Sequence, residues 1–281
     1  GETGIEDAEW KQWGRTLDGN RFSRLREITT GNVSKLQLAW EFKSDIPPHG
    51  YHSFEATPLA AGGKLFTCLD RNVIVALDPD TGKKIWRFDA RPNLKDVFAA
   101  TCRGVSWFEA PDAEECQTRI LFGVNDGRMM AVDAATGRLC RSFGNGGQVD
   151  LKLGLGPMEP GMVFPSSPPT IVNGVAMISG WVTDSVRTNS PSGGIRAYDA
   201  VTGELKWVWD TVRPDPAKPL APGETYALGS PNAWGVFSGD EALGLVYLGM
   251  GVETPDYFGA HRRAESERYS TALVALDVQT G

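Results

Sequence analysis

Charged, polar and aromatic side chains stand at the ends of the predicted β-strands in this sequence. Those that precede the first strand of a unit are Glu55, Arg103, Ser166, Ser167, Asn232 and Trp234, and those that follow the second strand are Arg71, Asn125, Asp126, Asp184 and Thr254. Together, arginines, carboxylates and a flat aromatic ring suit a planar polyanionic ligand that holds a metal ion. Each residue alone could equally be an ordinary polar loop residue, and Asn125-Asp126-Gly127 is most simply a turn.

A repeated phrase predicts the elements that position these residues. Copies of A-x-D-x-x-T-G-x-x-x-W begin at Ala76, Ala131, Ala197 and Ala275; the second has Arg141 at the tryptophan position, and the fourth runs to Gly281. The aspartate and glycine are typical of a tight turn between strands, and two further strand candidates precede each copy. Each unit is therefore predicted to be a four-stranded antiparallel sheet, and the repetition of such sheets predicts a β-propeller.

The predicted fold class is all-β, with about four blades in a single partial β-propeller domain over residues 1–281. In a blade, the first strand begins and the second ends on the same face, so the residues named above are expected to meet at one mouth. The tryptophan after each turn is expected to dock between blades. Residues 34–42 read as a lone strand that closes the last blade of a longer chain. The predicted blades are 54–89, 101–143, 166–210 and, incomplete, 230–281.

Composition and charge disfavour several classes of function. The chain is 41% hydrophobic and 22% charged, as soluble globular proteins are, and its net charge is −7. It has no basic run interleaved with aromatic residues, so no nucleic-acid partner is expected. Four cysteines without a C-x-x-C pair make a zinc site improbable, and they leave buried thiols and disulfides both open.

The sequence resembles the pyrroloquinoline quinone (PQQ)-dependent dehydrogenases. Within that family it is most similar to the N-terminal half of the periplasmic part of membrane-bound glucose dehydrogenase and of its quinate/shikimate and polyol relatives. The segments that carry the resemblance are 13–42, TCRGVSWFEA (101–110), 124–140, 167–174, GSPNAW (229–234) and MGVETPD (250–256). The CRGVS, SPNAW and MGV-x-TPD segments are more specific than the turn phrase, which non-catalytic propellers also carry.

The resemblance implies an eight-bladed propeller with PQQ near its axis and a Ca²⁺ or Mg²⁺ ion beside the quinone. Trp234 matches the aromatic floor under the PQQ ring, and Arg103 matches the partner of a PQQ carboxylate. Asp184 and Thr254 match the metal site. The remaining cofactor-binding positions are Glu55, Arg71, Ser166 and Asn232.

The implied function is oxidation of a hydroxyl group of a sugar, polyol or cyclitol, of the glucose, quinate or shikimate type. Electrons would pass to ubiquinone through a membrane domain, and the protein would be periplasmic and anchored to the inner membrane. The other expected partner is the C-terminal half of the propeller.

Three departures from the family pattern matter. Arg71 stands where the glucose enzymes have a histidine, and Trp181 stands where relatives have a small polar residue. The catalytic aspartate of the family lies in a His-Asp-x-Trp-Asp segment that these residues do not contain. No catalytic residue is therefore assigned to this chain, and the piece is expected to be inactive alone.

The periplasmic setting that the resemblance implies favours disulfides over free thiols. From the positions of the cysteines in the predicted blades, the expected pairs are Cys68–Cys102 and Cys116–Cys140.

Two other hypotheses remain open from the sequence. One is a non-catalytic propeller scaffold that binds proteins at the outer membrane without a cofactor. The other is a piece that closes its ring with a second polypeptide or a second copy, because four blades leave two exposed sheet edges.

Overall fold

The D-x-x-T-G turns fold as predicted, because the aspartate accepts hydrogen bonds from the turn that follows it. Oδ1 of Asp78 accepts hydrogen bonds from the backbone N–H and the hydroxyl of Thr81, both at 2.8 Å. The bond from the threonine N–H recurs at Asp133, Asp199 and Asp277, and the bond from the threonine hydroxyl recurs at Asp133 and Asp277. The side-chain hydrogen bond from Thr81 is the main cause that lowers the pKa of Asp78. These local bonds fix the turns on which the inter-blade packing rests.

The computed structural model describes residues 8–47, 49–50 and 54–281, and its strands confirm the all-β prediction. Three antiparallel sheets have four strands each, and one has three. Blade 1 consists of β1 (Leu59–Ala61), β2 (Lys64–Leu69), β3 (Val73–Leu77) and β4 (Lys84–Asp89), and blade 2 of β5 (Ser106–Glu109), β6 (Thr118–Val124), β7 (Arg128–Asp133) and β8 (Gln148–Asp150). Blade 3 consists of β10 (Thr170–Val172), β11 (Val175–Ile178), β13 (Ile195–Asp199) and β14 (Leu205–Trp209), and blade 4 of β15 (Ser238–Asp240), β16 (Leu245–Gly249) and β17 (Leu273–Asp277).

A short antiparallel ribbon forms a separate two-stranded sheet beside the blades. It pairs β9 (Val163–Phe164) with β12 (Trp181–Val182), and the rings of Phe164 and Trp181 stack with centroids 5.0 Å apart. Trp181, which departs from the family pattern, therefore has a packing role in this ribbon. The helical segments are the α-helix α1 (Ala264–Glu267) and the 3₁₀ turns Val33–Lys35 and Asp70–Asn72.

Indole rings join neighbouring blades. Nε1 of Trp86 in blade 1 donates to the carbonyl oxygen of Ala134 in blade 2 at 3.1 Å, and Nε1 of Trp207 in blade 3 donates to that of Val278 in blade 4 at 2.9 Å. Both acceptors directly follow a turn aspartate. The predicted docking of the tryptophan between blades is therefore confirmed for these two copies.

Between blades 2 and 3, a buried arginine donates to the equivalent carbonyl oxygen. The repeated phrase has Arg141 instead of tryptophan in this copy. Arg119 of β6 is fully buried, and its Nη1 donates to the carbonyl oxygens of Ala200 and Val201, at 3.4 and 2.8 Å. Ala200 follows the turn aspartate Asp199, so Arg119 bonds the same carbonyl position that the indoles of Trp86 and Trp207 bond elsewhere. The missing tryptophan is replaced by a different strand's side chain.

Residues 34–42 do not form the β-strand that the sequence predicts. The segment contains the end of the 3₁₀ turn Val33–Lys35 and otherwise irregular backbone, since no strand of the described residues lies beside it to accept a ladder of hydrogen bonds. Trp40 nevertheless donates from Nε1 to the carbonyl oxygen of Pro79, which directly follows the turn aspartate Asp78, at 2.9 Å. Trp40 therefore bonds blade 1 as Trp86 bonds blade 2, and the role of 34–42 as a closing strand stays a prediction.

The outer strand of blade 2 is also displaced from its predicted place. The sequence prediction ended this blade at residue 143, whereas the ladder strand is β8 at Gln148–Asp150. Residues 138–147 form turns instead, with Leu139 making an isolated bridge to Val132. The Cys116–Cys140 disulfide ties down these turns.

Both predicted disulfides are present. Cys68 of β2 is bonded to Cys102, with Cα atoms 6.1 Å apart, and Cys116 is bonded to Cys140, with Cα atoms 5.8 Å apart. The first bond links blade 1 to the residue next to Arg103. Among the described residues, no helix has the length and apolarity that a membrane crossing needs.

The glycine of the turn phrase lies against the docked indole, which gives a test of the inter-blade contact. Gly137 has φ +72°, and a Cβ there would lie 2.7 Å from the ring of Trp86. We expect Gly137→Ala to lower the free energy of unfolding by roughly 2–4 kcal/mol, through left-handed backbone strain and the clash with the ring. Denaturant titration measures the change.

Gly146 provides the matched control. Its φ is +64°, but a Cβ there would have no atom within 4 Å. Gly146→Ala is therefore expected to cost only the backbone strain, about 1 kcal/mol. Equal losses of stability in the two variants would show that the clash with the ring of Trp86 does not contribute to the cost of Gly137→Ala.

Candidate functional site

Arg103 is the centre of the predicted cofactor cluster. It follows Cys102 and precedes β5, and its Nη2 lies 2.9 Å from Oε2 of Glu55. The guanidinium carbon lies 5.1 Å from the ring centroid of Trp234. The backbone N–H of Arg103 donates to the carbonyl oxygen of Ser166 at 2.9 Å. The structure thus brings together Glu55, Arg103, Ser166 and Trp234, from the starts of four blades.

Trp234 is held by its backbone, which leaves its ring accessible. The hydroxyls of Ser166 and Ser167 donate to the carbonyl oxygen of Trp234, at 3.0 and 2.8 Å. Both serines are buried, whereas Trp234 remains 49% exposed. A half-exposed indole beside a guanidinium offers a flat apolar surface to a planar anionic ligand.

A second cluster contains the two predicted metal ligands. The carboxylate of Asp184 accepts hydrogen bonds from the Ser185 hydroxyl at 2.7 Å and from the backbone N–H of Asp256 at 2.8 Å. Thr254, two residues before Asp256, is buried, and its Oγ1 has no hydrogen-bond partner. The structure therefore places Asp256 against Asp184, while Thr254 lies two residues earlier in the chain; Asp184 and Thr254 remain predicted metal ligands.

Asp256 is the residue of this second cluster that the sequence analysis missed. Desolvation by burial raises its pKa above the usual range, and the negative charge of Asp184 raises it further. Two neighbouring carboxylates and an unpaired hydroxyl suit a hard cation, which prefers oxygen ligands. The signal was present in the sequence, because Asp256 ends the MGVETPD segment.

The loop 230–234 joins the two clusters. Asn232 lies two residues before Trp234; its Nδ2 donates to the carbonyl oxygen of Gly180 at 2.8 Å, and its own carbonyl oxygen accepts from the backbone N–H of Gly251 at 2.8 Å. Asn232 therefore holds the loop against the ribbon that precedes Asp184. In this structure its amide N–H₂ is used for positioning the loop.

Arg71 lies apart from the other predicted cofactor residues. It has φ +57°, and its Nε donates to the carbonyl oxygen of Pro47 at 3.1 Å. Within the described ranges, no hydrogen bond, ion pair or ring contact joins Arg71 to Glu55, Arg103 or Trp234.

The next residue, Asn72, connects this region to the site. Its Oδ1 accepts from the backbone N–H of Asn125 at 2.9 Å, and Nδ2 of Asn125 donates to the carbonyl oxygen of Thr101 at 3.0 Å. Asn125, which the sequence read simply as part of a turn, is fully buried and bridges the two blades.

In the part of the chain that the structure describes, no group of three or more His, Cys, Asp and Glu side chains could hold a metal ion by itself. Asp184 and Asp256 offer two neighbouring carboxylates, so a cation there would need further ligands from another molecule or from elsewhere in the protein. A metal site completed by a bound cofactor meets this requirement.

Comparison with known proteins decides the family. Residues 10–281 match the model of the β-propeller domain of PQQ-dependent glucose, ethanol and alcohol dehydrogenases. The chain belongs to this quinoprotein family. The resemblance seen in the CRGVS, SPNAW and MGV-x-TPD segments is confirmed.

Individual quinoproteins match over nearly the whole chain. The glycerol dehydrogenase large subunit of Gluconobacter oxydans is 41% identical over 97% of this chain and 38% of its own length. The quinoprotein glucose dehydrogenase of Escherichia coli is 38% identical over 99% of this chain and 36% of its own length. The chain thus spans less than two fifths of these relatives.

The fold agrees with a solved quinoprotein structure. The quinohemoprotein alcohol dehydrogenase ADHIIG of Pseudomonas putida superposes with a TM-score of 0.77 and 28% identity, over 98% of this chain and 39% of that one. The prediction of a quinoprotein β-propeller is confirmed.

The two serines under the site give a prediction for its rigidity. In the double variant Ser166→Ala/Ser167→Ala, the carbonyl of Trp234 loses both donors, and each lost hydrogen bond costs about 1 kcal/mol. We expect faster hydrogen exchange at the amides of residues 232–236, measured by mass spectrometry.

Ser34→Ala serves as the control, because Ser34 is exposed and lies in the irregular N-terminal segment. It should leave exchange in 232–236 unchanged. Equal exchange in the double variant and the wild type would contradict the role assigned to Ser166 and Ser167.

Proposed function

We propose that this chain forms part of a PQQ-dependent dehydrogenase that oxidises a hydroxyl group of a sugar, polyol or cyclitol and passes the electrons to ubiquinone. The observation that carries the proposal is the Arg103 cluster, in which a guanidinium is fixed by Glu55 above a half-exposed indole. The loop 230–234, which carries Trp234, is hydrogen-bonded to Gly180 and Gly251 in the segments that precede Asp184 and Asp256.

The residues present fit the cofactor. PQQ is planar and carries carboxylates, so Trp234 would cover one face of the ring and Arg103 would bind a carboxylate with the guanidinium N–H groups that Glu55 leaves free. The backbone bonds from Ser166 and Ser167 hold Trp234 in place before the ligand arrives. Such preorganisation lowers the entropy cost of binding.

The residues also fit a Ca²⁺ or Mg²⁺ ion. Asp184 would supply a carboxylate oxygen, and the buried Oγ1 of Thr254 would gain the partner it lacks. Asp256 is close enough to Asp184 for its carboxyl group to serve as a further oxygen ligand or to orient Asp184.

When bound, PQQ supplies a quinone carbonyl that accepts the hydride from the carbon bearing the substrate hydroxyl, while the ion polarises that carbonyl. The described residues bind and orient the cofactor and the ion. The general base that takes the hydroxyl proton is assigned to the His-Asp-x-Trp-Asp segment of the family, which is not in this sequence. We therefore propose that these 281 residues alone bind PQQ without turning over substrate.

Two disulfides and no free cysteine support a periplasmic location. Disulfides persist in oxidising compartments and are rare in the cytosol. We propose that the protein is anchored to the inner membrane by a segment outside this chain, as the resemblance to the glucose and quinate/shikimate enzymes implies.

Titration with PQQ tests the cofactor assignment. We expect a saturable change in the quinone absorbance, with Trp234→Ala weakening the affinity at least about tenfold because the flat face is lost. Trp234→Phe keeps a smaller face and should lose less. The surface variant Ile85→Ala should bind PQQ as the wild type does.

Saturable PQQ binding that is insensitive to Trp234→Ala would refute the assignment of the floor. The same samples, given Ca²⁺, glucose or quinate and a dye acceptor, test the second proposal. Dye reduction by the 281-residue chain would show that it carries its own catalytic base.

Thr254→Val gives a test of the metal site that separates binding from stability. Because the hydroxyl is buried and unpaired without a cation, removing it is expected to leave the metal-free protein as stable or stabilise it by about 1 kcal/mol. Calorimetric titration of the PQQ-loaded protein should show an affinity for Ca²⁺ that falls about tenfold or more.

Thr170→Val is the matched control, since the buried Thr170 hydroxyl donates to the carbonyl oxygen of Phe237 at 3.3 Å. It should destabilise the protein and leave Ca²⁺ affinity unchanged. Destabilisation by Thr254→Val with unaltered Ca²⁺ affinity would assign Thr254 a purely structural role.

A further inference from the structure

A small internal cavity has walls from blade 2, from the ribbon of β9 and β12, and from blade 3. Its volume is about 20 Å³, which is room for one water molecule or one small ion. The polar side chains in its wall belong to Lys152, Ser179, Ser192 and Arg196. None of the described residues that line it is acidic, although the chain as a whole has a net charge of −7. We name it the Arg196 cavity.

Arg196 of β13 is a buried cation without a counterion. It is only 3% exposed, and its Nη2 donates to the carbonyl oxygen of Leu153. Its Nε is also buried and has no hydrogen-bond partner. Among the described residues, no ion pair includes Arg196. A buried charge of this kind is strongly unfavourable unless a group of opposite sign accompanies it.

The neighbouring tyrosines offset this charge only in part. The guanidinium carbon of Arg196 lies 5.4 Å from the ring centroid of Tyr226, but Arg213 lies at the same distance from that ring. Arg213 has Glu224 at 2.8 Å as a further partner, whereas Arg196 has none. Burial raises the pKa of the Tyr198 and Tyr226 hydroxyls, so both stay neutral and neither is a counterion.

Two other acidic side chains act electrostatically on these tyrosines, and each is already bonded elsewhere. Asp150 acts on Tyr198, and its carboxylate lies 2.8 Å from Nζ of Lys152, the second cation of the cavity wall. Asp210 acts on Tyr226, and its buried carboxylate accepts a hydrogen bond from the backbone N–H of Ala227 at 2.5 Å. The charge of Lys152 is thus balanced within the fold, and that of Arg196 is not.

We propose that the Arg196 cavity binds one small monovalent anion, for which chloride is the probe. The anion accepts a charge-assisted hydrogen bond from Nε of Arg196 and supplies the negative charge that the wall lacks. The volume admits a single halide and excludes a carboxylic acid or a phosphate. A water molecule fits the same space but would leave the charge of Arg196 unbalanced. The inference does not depend on the proposed dehydrogenase function.

The wall of the Arg196 cavity is bonded to the loop 230–234. The backbone N–H of Gly193 donates to Oγ of Ser230 at 3.1 Å. The carbonyl oxygen of Gly180 accepts from Nδ2 of Asn232 at 2.8 Å. Both glycines line the cavity. An anion that fixes this wall therefore also fixes one side of the loop.

Thermal unfolding of the cofactor-free protein tests the proposal. Sodium chloride is compared with sodium methanesulfonate at equal ionic strength, because methanesulfonate has the same charge but is too large for the cavity. Chloride is expected to raise Tm saturably, by about 2–4 °C at ten times its dissociation constant. Equal Tm values in the two salts at every concentration would overturn the proposal.

Two variants locate the effect. Arg196→Met removes the cation and is expected to abolish the difference in Tm between the two salts. Arg213→Met is the matched control, because Arg213 contacts the same Tyr226 ring but does not line the cavity. It should keep the full difference, whatever its own stability. A difference that persists in Arg196→Met would overturn the proposal, because the anion would then bind elsewhere.

Bromide identifies the occupant directly in the wild-type protein, so this arm does not depend on the folding of a variant. Crystals grown in sodium bromide are expected to show an anomalous peak within hydrogen-bond distance of Nε of Arg196. Electron density there without anomalous signal would identify water and overturn the proposal. Chloride is also expected to slow amide hydrogen exchange in residues 230–234 relative to methanesulfonate, and equal exchange in the two salts would refute the link to the loop.

Discussion

The contact on which the rest of the structure depends is a side chain of one blade that bonds the turn of the next. An indole N–H, from Trp40, Trp86 or Trp207, reaches the carbonyl that follows a turn aspartate. The turn is already fixed by its own aspartate and threonine, so it presents that carbonyl in one orientation. The short turn motif thereby fixes the angle between neighbouring sheets.

Arg119 shows that the buried carbonyl after the turn aspartate must have a hydrogen-bond donor. The donor can be a side chain other than tryptophan. Leaving the carbonyl of Ala200 buried and unbonded would cost about 1–3 kcal/mol, so a donor must come from somewhere. Arg119 reaches it from β6, and its other N–H groups bond the carbonyl oxygens of Cys116 and Glu115. The Cys116–Cys140 disulfide lies beside this arginine, because Arg119 bonds the carbonyl oxygen of Cys116, and it holds the turns that precede the outer strand β8.

Whether the sequence could predict a feature depends on how far apart in the chain the interacting residues lie. The turns, most strands and the Glu55–Arg103–Trp234 grouping depend on local patterns and on the repeat, and they were predictable. Residues 34–42 have no strand beside them among the described residues, and extended backbone needs a neighbour to pair with, so their role as a closing strand stays a prediction. Asp256 was missed because its significance lies in its approach to Asp184, a contact between segments far apart in the chain.

The site inherits its geometry from the blades. Glu55, Arg103, Ser166 and Trp234 each stand at the beginning of a different sheet, so their distances are set by inter-blade packing and not by any one loop. Arg103 shows the result, because Glu55 of blade 1 holds its guanidinium and the ring of Trp234 before blade 4 lies 5.1 Å from it. A positive group that is fixed in this way can position an anionic ligand. The spacing of the Arg103 cluster is therefore a property of the whole set of blades, and a change at one blade interface alters the site even where no site residue is touched.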